Sequence, residues 1–271
     1  MDIKTKISNK IAVITGGLGG IGFQTVQHLL KNGVEYIAMF DLPKSNDEKV
    51  LKSLQDLEKK FNKNKFGYFS CDVSNKHEFK ANFDMVVELK KRVDIFINNA
   101  GIINEKQLDL SIDINYKAVV VGTLMAIDHM RTDKGGKGGV IVNIASTAGL
   151  RNFSIFPVYN STKHAVVSFV RSLKNFNKSL GVNVVCLCPN LTNTPLANKQ
   201  ELPKKLLDFV DGKVLSEYFK TAYMQKPESV AIAVMEIINK GDYGAVWIVS
   251  NDVTEGVREI NEVDELSYKL E

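Results

Sequence analysis

Short apolar runs of strand length alternate along this chain with longer stretches of helical period. Ile11–Thr15, Tyr36–Asp41 and residues 66–71, 93–98, 140–145, 182–188 and 245–249 are each five to seven residues long. Several are β-branched and apolar on both sides, the pattern of strands covered on both faces. Residues 21–31 and 50–61 lie between such runs and are amphipathic. In the second, Leu51, Leu54, Leu57 and Phe61 recur at helical spacing with charge between them. Alternation repeated this often predicts an α/β fold: a doubly wound parallel sheet of about seven strands with helices on both faces. No linker or low-complexity segment breaks the pattern, so residues 1–271 are expected to form a single domain. Residues 191–226 lack a strand and carry Leu202, Leu206, Leu207, Phe209, Val210, Leu215, Tyr218 and Phe219. Such an insert is either a lid over a substrate pocket or a set of packing helices. Its place after a strand's carboxyl end, where open α/β sheets bind ligands, favours the lid.

Composition narrows the classes. A net charge of +4 spread along the chain gives no basic run for nucleic acid, so none is expected as a partner. Cys71, Cys186 and Cys188 offer no disulfide framework. The pair on 182–188 would share one side of a strand as small buried hydrophobes. No stretch approaches the ~18 apolar residues of a membrane span, and residues 1–10 have no apolar core of a secretory signal. A cytoplasmic protein is the expectation. The four histidines show no zinc spacing, and no metal is expected.

Thr15-Gly16-Gly17-Leu18-Gly19-Gly20-Ile21-Gly22 follows the first run and opens a helix. Glycines there let the backbone turn tightly and approach a pyrophosphate, which the helix start then faces with free N–H groups. With a strand before it and a helix after it, this turn points to a Rossmann-type dinucleotide site. Asp41 ends the second run nineteen residues past Gly22. A carboxylate there accepts from ribose hydroxyls and repels a 2′-phosphate, which favours NAD over NADP. Its simpler reading is a loop or capping carboxylate.

Tyr159 and Lys163 lie four apart in a segment that reads as a helix with Pro157 near its start. A free phenol titrates near about 10, and bringing it toward neutrality takes roughly 3–4 kcal/mol of differential stabilisation. A neighbouring ammonium and a cationic nicotinamide both have the right sign. The same spacing arises wherever a solvated lysine follows a packed tyrosine, so context decides. Ser146 ends the run before this helix, where its hydroxyl could meet a substrate oxygen as charge develops. Asn98-Asn99-Ala100-Gly101 ends another run, its amides either holding the sheet or touching the cofactor.

Together these residues resemble the short-chain dehydrogenase/reductase family over nearly the whole chain. Thr15, Gly16, Gly20 and Gly22 fit its glycine pattern, residues 98–101 its N-N-A-G, and Ser146, Tyr159 and Lys163 its catalytic Ser and Y-x-x-x-K. Asn115 fits the fourth catalytic position, whose backbone helps hold a water in a proton relay to the lysine. The segment 134–139, Phe156-Pro157-Val158-Tyr159 and Gly244-Ala245-Val246-Trp247 are closer to insect-type alcohol dehydrogenases and hydroxyprostaglandin dehydrogenases. The resemblance implies NAD as cofactor and a homodimer. It places Gly16, Gly20, Ile21, Gly22, Asp41, Leu42, Asp72, Val73, Asn99, Gly101, Thr192 and Thr194 on the nucleotide along with Tyr159 and Lys163, and Ser146, Phe156 and Tyr159 on the substrate. The expected reaction interconverts a secondary or primary alcohol and its carbonyl. The alternative is a non-catalytic dinucleotide-binding relative, such as a storage or sensor protein. Two residues depart from the pattern. Asn190 follows Pro189 where a glycine is usual, and Phe156 replaces a polar residue of prostaglandin dehydrogenases. The aromatic, with the apolar 191–226 segment, implies a small hydrophobic alcohol or carbonyl substrate.

Overall fold

Each of the seven apolar runs becomes a strand, because each has hydrophobes to bury on both sides. They are β1 (Ile11–Thr15), β2 (Tyr36–Asp41), β3 (Phe66–Ser70), β4 (Ile95–Asn98), β5 (Gly139–Ile144), β6 (Val182–Pro189) and β7 (Val246–Val249). The computed structural model describes residues 6–250 and a further short strand, β8 (Val257–Glu259). Residues 1–5, 251–256 and 260–271, parts of the span expected to form one domain, lie outside the described residues. β4 begins at Ile95, two residues into its apolar run, although Asp94 already bonds through its backbone N–H to Ile11 C=O at 2.8 Å. The Asp94 carboxylate accepts from Ile11 N–H at 2.8 Å and pairs with Arg92 at 3.0 Å.

The sheet order is β3-β2-β1-β4-β5-β6-β7-β8, with β1 to β7 parallel and β8 antiparallel at the edge. The antiparallel strand was not anticipated. Chain direction across the sheet reverses between β1 and β4, which opens a crevice at the carboxyl ends of these neighbours. Thr15, Asp41, Asn98, Ser146 and Pro189 all stand along that same edge.

Among the described residues the helices are α1 (Gly20–Lys31), α2 (Glu48–Glu58), α3 (Lys76–Lys90), α4 (Leu108–Ile112), α5 (Ala118–Met130), α6 (Pro157–Leu180), α7 (Gly212–Thr221) and α8 (Pro227–Lys240). Alternation along the strands feeds two cores. Val13, Phe40 and Phe96 pack with α3, α5 and α6 through Phe79, Phe83, Met130 and Val170. Ile14, Met39 and Ile97 face α1, α2 and α8 through Leu29, Leu57 and Val234. Each fully buried side chain of this size contributes about 1.5–3 kcal/mol. Cys186 and Cys188 are buried on one side of β6 with their sulfurs 3.9 Å apart, as expected.

Leu108–Met130 is one continuous helical stretch of 23 residues, long and apolar enough by composition to cross a membrane. This corrects the expectation that no stretch approaches a span; Asp109, Asp113 and Lys117 interrupt its apolar residues and mask it in the sequence. In the fold its Val119, Ala126 and Met130 pack into the core. Between α4 and α5 this stretch makes a π turn, Asp113–Lys117, where Ala118 N–H reaches back five residues to Asp113 C=O.

Candidate active site

The glycine turn is a cradle built by close approach. Gly16 sits at φ +64°, and a Cβ on Gly22 would stand 2.0 Å from the Gly16 oxygen, so α1 packs directly on the loop. Gly19 caps α1 without any side-chain hydrogen bond, which leaves the positive end of the helix facing a cleft. That cleft has a volume of about 410 Å³ and is lined by Gly16, Gly19, Gly20, Ile21, Asp41, Leu42, Asp72, Val73, Asn99, Gly101 and Thr194. Thr194 lies against Gly20, where an added Cβ would meet its methyl at 2.6 Å. A small, side-chain-free cradle at a helix start fits a pyrophosphate.

Asp41 does two jobs. Its carboxylate accepts from Leu18 N–H and Leu42 N–H, both at 2.9 Å, which ties the glycine turn to the end of β2, and it still lines the cleft. Of the two readings for the asparagine pair, holding the sheet is what their amides do. Asn98 donates to Asn143 at 2.8 Å, and Asn99 donates to the Thr15 and Gly16 carbonyls at 3.0 Å. Thr15 completes the lock, its hydroxyl accepting from Asn99 and Ala100 N–H at 3.0 Å. Asp72 likewise turns its carboxylate onto Ser74, N–H at 2.9 Å and hydroxyl at 2.7 Å.

Ser146, Tyr159 and Lys163 together line a second, apolar pocket, which shares Ile21, Asn99, Gly101, Thr194 and Leu196 with the glycine cleft. Ser146 is placed by the end of β5 and accepts from Ala148 N–H at 3.1 Å. Tyr159 and Lys163 share one face of α6, with the Lys163 Nζ 5.6 Å from the centre of the Tyr159 ring. The ammonium donates to the Ile144 carbonyl at 3.1 Å. Burial pushes the Tyr159 phenol up to about 12, and a hydrogen bond with Ser146 pulls the other way. Burial also draws the Lys163 ammonium down to about 8. The acidic phenol expected from the sequence is therefore not a property of these side chains alone, because desolvation outweighs the hydrogen bond with Ser146. Asn115 lies in the π turn, fully buried, and its amide clasps Ile102, accepting from N–H at 2.8 Å and donating to C=O at 2.9 Å. Gly101 stands between it and the lysine. A Cβ there would be 3.3 Å from Asn115 Oδ1 and 3.5 Å from Lys163 Nζ.

The apolar pocket is walled by Ile103, Phe153, Phe156, Leu202, Tyr218 and Phe219, with Ser146 and Tyr159 at its floor. Leu196, Ala197, Leu202, Tyr218 and Phe219 all come from the 191–226 segment. Its two ends are pinned together: Gln225 N–H donates to Leu191 C=O at 3.0 Å and Asn193 N–H to Gln225 C=O at 2.9 Å. The Gln225 amide also reaches Asn190 C=O, the Thr192 hydroxyl and Val249 C=O. Thr192 lines the pocket but spends its own hydrogen on Asn190 C=O at 2.8 Å. Asn190 needs no glycine-like conformation, since Asn9 and Lys91 are the non-glycine residues at positive φ among those described. It takes an ordinary backbone and accepts from Thr147 at 3.4 Å.

Two residues here escaped the sequence reading. Gln225 reads as an ordinary polar residue near the end of the strand-free 191–226 segment. Glu105, only 2% exposed, puts its carboxylate on the first turn of α6. A signal for Glu105 did exist, because α6 starts at Phe156-Pro157 without a capping side chain of its own.

The short chain dehydrogenase family model matches residues 10–205. Alcohol dehydrogenase 1 of Ceratitis capitata is 34% identical over 244 residues, covering 89% of this chain and 92% of that protein. The NAD(+) 15-hydroxyprostaglandin dehydrogenase of Mus musculus is 31% identical over 236 residues, 86% of each. Among solved structures, levodione reductase superposes with a TM-score of 0.76 at 22% identity, over 90% of this chain and 96% of that one. An NADPH-dependent 3-quinuclidinone reductase from Rhodotorula rubra gives 0.74 at 20% identity, over 93% and 94%. These two likenesses are of fold.

Proposed function

The chain belongs to the short chain dehydrogenase family, and from that footing we propose that it interconverts an alcohol and its carbonyl with NAD, Tyr159 giving and taking the proton. The observation that carries this reading is the meeting of Ser146, Tyr159 and Lys163 in the apolar pocket that shares Ile21, Asn99, Gly101 and Thr194 with the glycine cleft. Gly16, Gly20, Ile21 and Gly22 would hold the pyrophosphate, Asp41, Leu42, Asp72 and Val73 the adenosine, and Asn99, Gly101, Thr192, Thr194 and Lys163 the nicotinamide end. Bound there, the oxidised nicotinamide supplies the hydride acceptor and a positive charge near the phenol.

The protein's own groups do the rest. In oxidation Ser146 orients the substrate hydroxyl and Tyr159, as phenolate, takes its proton. Lys163 holds positive charge beside the phenol. Asn115, by fixing Ile102 and the turn around it, keeps a route for the proton outward. In reduction the same phenol returns the proton. Phe153, Phe156, Tyr218 and Phe219 favour a hydrophobic alcohol, and the pinned 191–226 segment acts as the lid over it. A cytosolic homodimer completes the reading. The half-exposed Leu108, Leu124 and Phe176 on the helices of one face are apolar surface for a second copy to cover.

The test is simple. Incubated with NAD and a panel of hydrophobic secondary and primary alcohols, the protein forms NADH, read by its absorbance. NADH binding with no turnover on any alcohol would instead support the non-catalytic alternative. Asp41 supports NAD over NADP through its charge. Asp41→Asn keeps an acceptor for Leu18 N–H but removes that charge. The ratio of kcat/KM for NAD to that for NADP then falls about 10- to 100-fold, as expected for the loss of a near-surface charge pair worth 1–3 kcal/mol. An unchanged ratio would remove Asp41 from cofactor selection.

A further inference from the structure

The first turn of α6 is the most demanding piece of backbone in the site, because it carries Tyr159 and has no side-chain cap of its own. The N–H groups of a first turn have no acceptor within their own helix. Glu105 supplies the acceptors from the loop after β4. Its Oε2 accepts from Val158 N–H at 2.7 Å and its Oε1 from Tyr159 N–H at 3.0 Å. The carboxylate is almost fully buried, and burial pushes its pKa up while the two N–H groups pull it back. Hydrogen bonds of this kind, to a carboxylate, are shorter and stronger than those of an ordinary neutral cap.

We infer that Glu105 is a positioning residue for the phenol of Tyr159, fixing that residue's main chain from below while Ser146 meets its hydroxyl from the other end. The link goes further, since the N–H of Glu105 donates to Lys205 C=O at 3.0 Å, within the segment that covers the pocket. One residue thus joins the covering segment to the start of the helix that bears Tyr159 and Lys163. The consequence is geometric. A shift of the first turn moves the phenol directly, whereas the glycine turn that would hold the pyrophosphate lies between β1 and α1.

The inference rests on Tyr159 being the proton acceptor. Glu105→Gln preserves size and one acceptor but turns an NH2 group toward the helix start, where no acceptor stands. In the folded variant, NADH binding measured by fluorescence stays within about twofold, while single-turnover NADH formation per NADH-binding site falls about 10- to 100-fold, the scale of a misplacement near 1 Å. KM for NAD is unmoved. Glu105→Ala, in the fraction that folds, loses at least as much. A merely structural role would lower the folded fraction and leave the rate per binding site at the wild-type value; that result would overturn the inference. A wild type that oxidises no alcohol would overturn the reading of Tyr159 and this one with it. An active wild type beside an unimpaired Glu105→Gln would overturn this one alone.

Discussion

Tyr159→Phe binds NADH as the wild type does and oxidises alcohols at least about a thousandfold more slowly, within the range for losing a general acid–base group. The change removes one oxygen from a ring that is 8% exposed, so packing around it is preserved. No other group in reach replaces it. The Ser146 hydroxyl is far more basic once ionised, and the Lys163 ammonium is engaged with the Ile144 carbonyl. Direction and pH follow from the same group. The phenolate is the form that accepts a proton, so alcohol oxidation rises with pH through the pKa of the Tyr159 phenol, whereas carbonyl reduction, which needs the phenol, falls. In the free protein burial, the largest influence, holds that group up near 12. The rising limb of a working enzyme must lie lower, by whatever the bound cationic ring and the Lys163 ammonium contribute. Initial rates in both directions across pH check the signs. A limb that persists in Tyr159→Phe would assign it elsewhere.

Ser146→Ala lowers kcat about 100- to 1000-fold with little change in NADH affinity, the cost of losing one donor to a developing oxyanion. The hydroxyl also caps the turn Thr147–Gly149 through Ala148 N–H, so the variant is destabilised as well, by about 0.5–2 kcal/mol. Ser146→Thr keeps a hydroxyl and recovers part of both losses. Because Ser146 and Tyr159 act on one oxygen, the double variant loses little more than Tyr159→Phe alone. Full additivity of the two losses would show that they serve separate steps.

Much of this arrangement was legible before any coordinates. Runs apolar on both sides mark strands buried on both faces, and β1 to β7 fall where those runs do. The glycine turn, Asp41, Ser146 and the Tyr159–Lys163 spacing are local patterns, and the fold brings them to one edge because parallel strands end together. What was hidden is long-range. Glu105 meets Val158 across 53 residues, and nothing beside it in the chain tells a buried carboxylate from a solvated one. Gln225 pins the covering segment from 33 residues beyond Thr192. The π turn at Asn115 lies inside a stretch whose apolar period continues on both sides. β8 is three residues long and pairs only at the edge. The acidic phenol expected from charge alone met a desolvation cost that a sequence does not display.

Titrating the tyrosines by their ultraviolet absorption, with and without saturating NAD, measures the central group itself. Subtracting Tyr159→Phe from wild type cancels the seven other tyrosines of the eight. The account predicts a single ionisation in the difference, high in the free protein and moved to lower pH by NAD. Difference curves that are flat, or that NAD leaves unmoved, would contradict it.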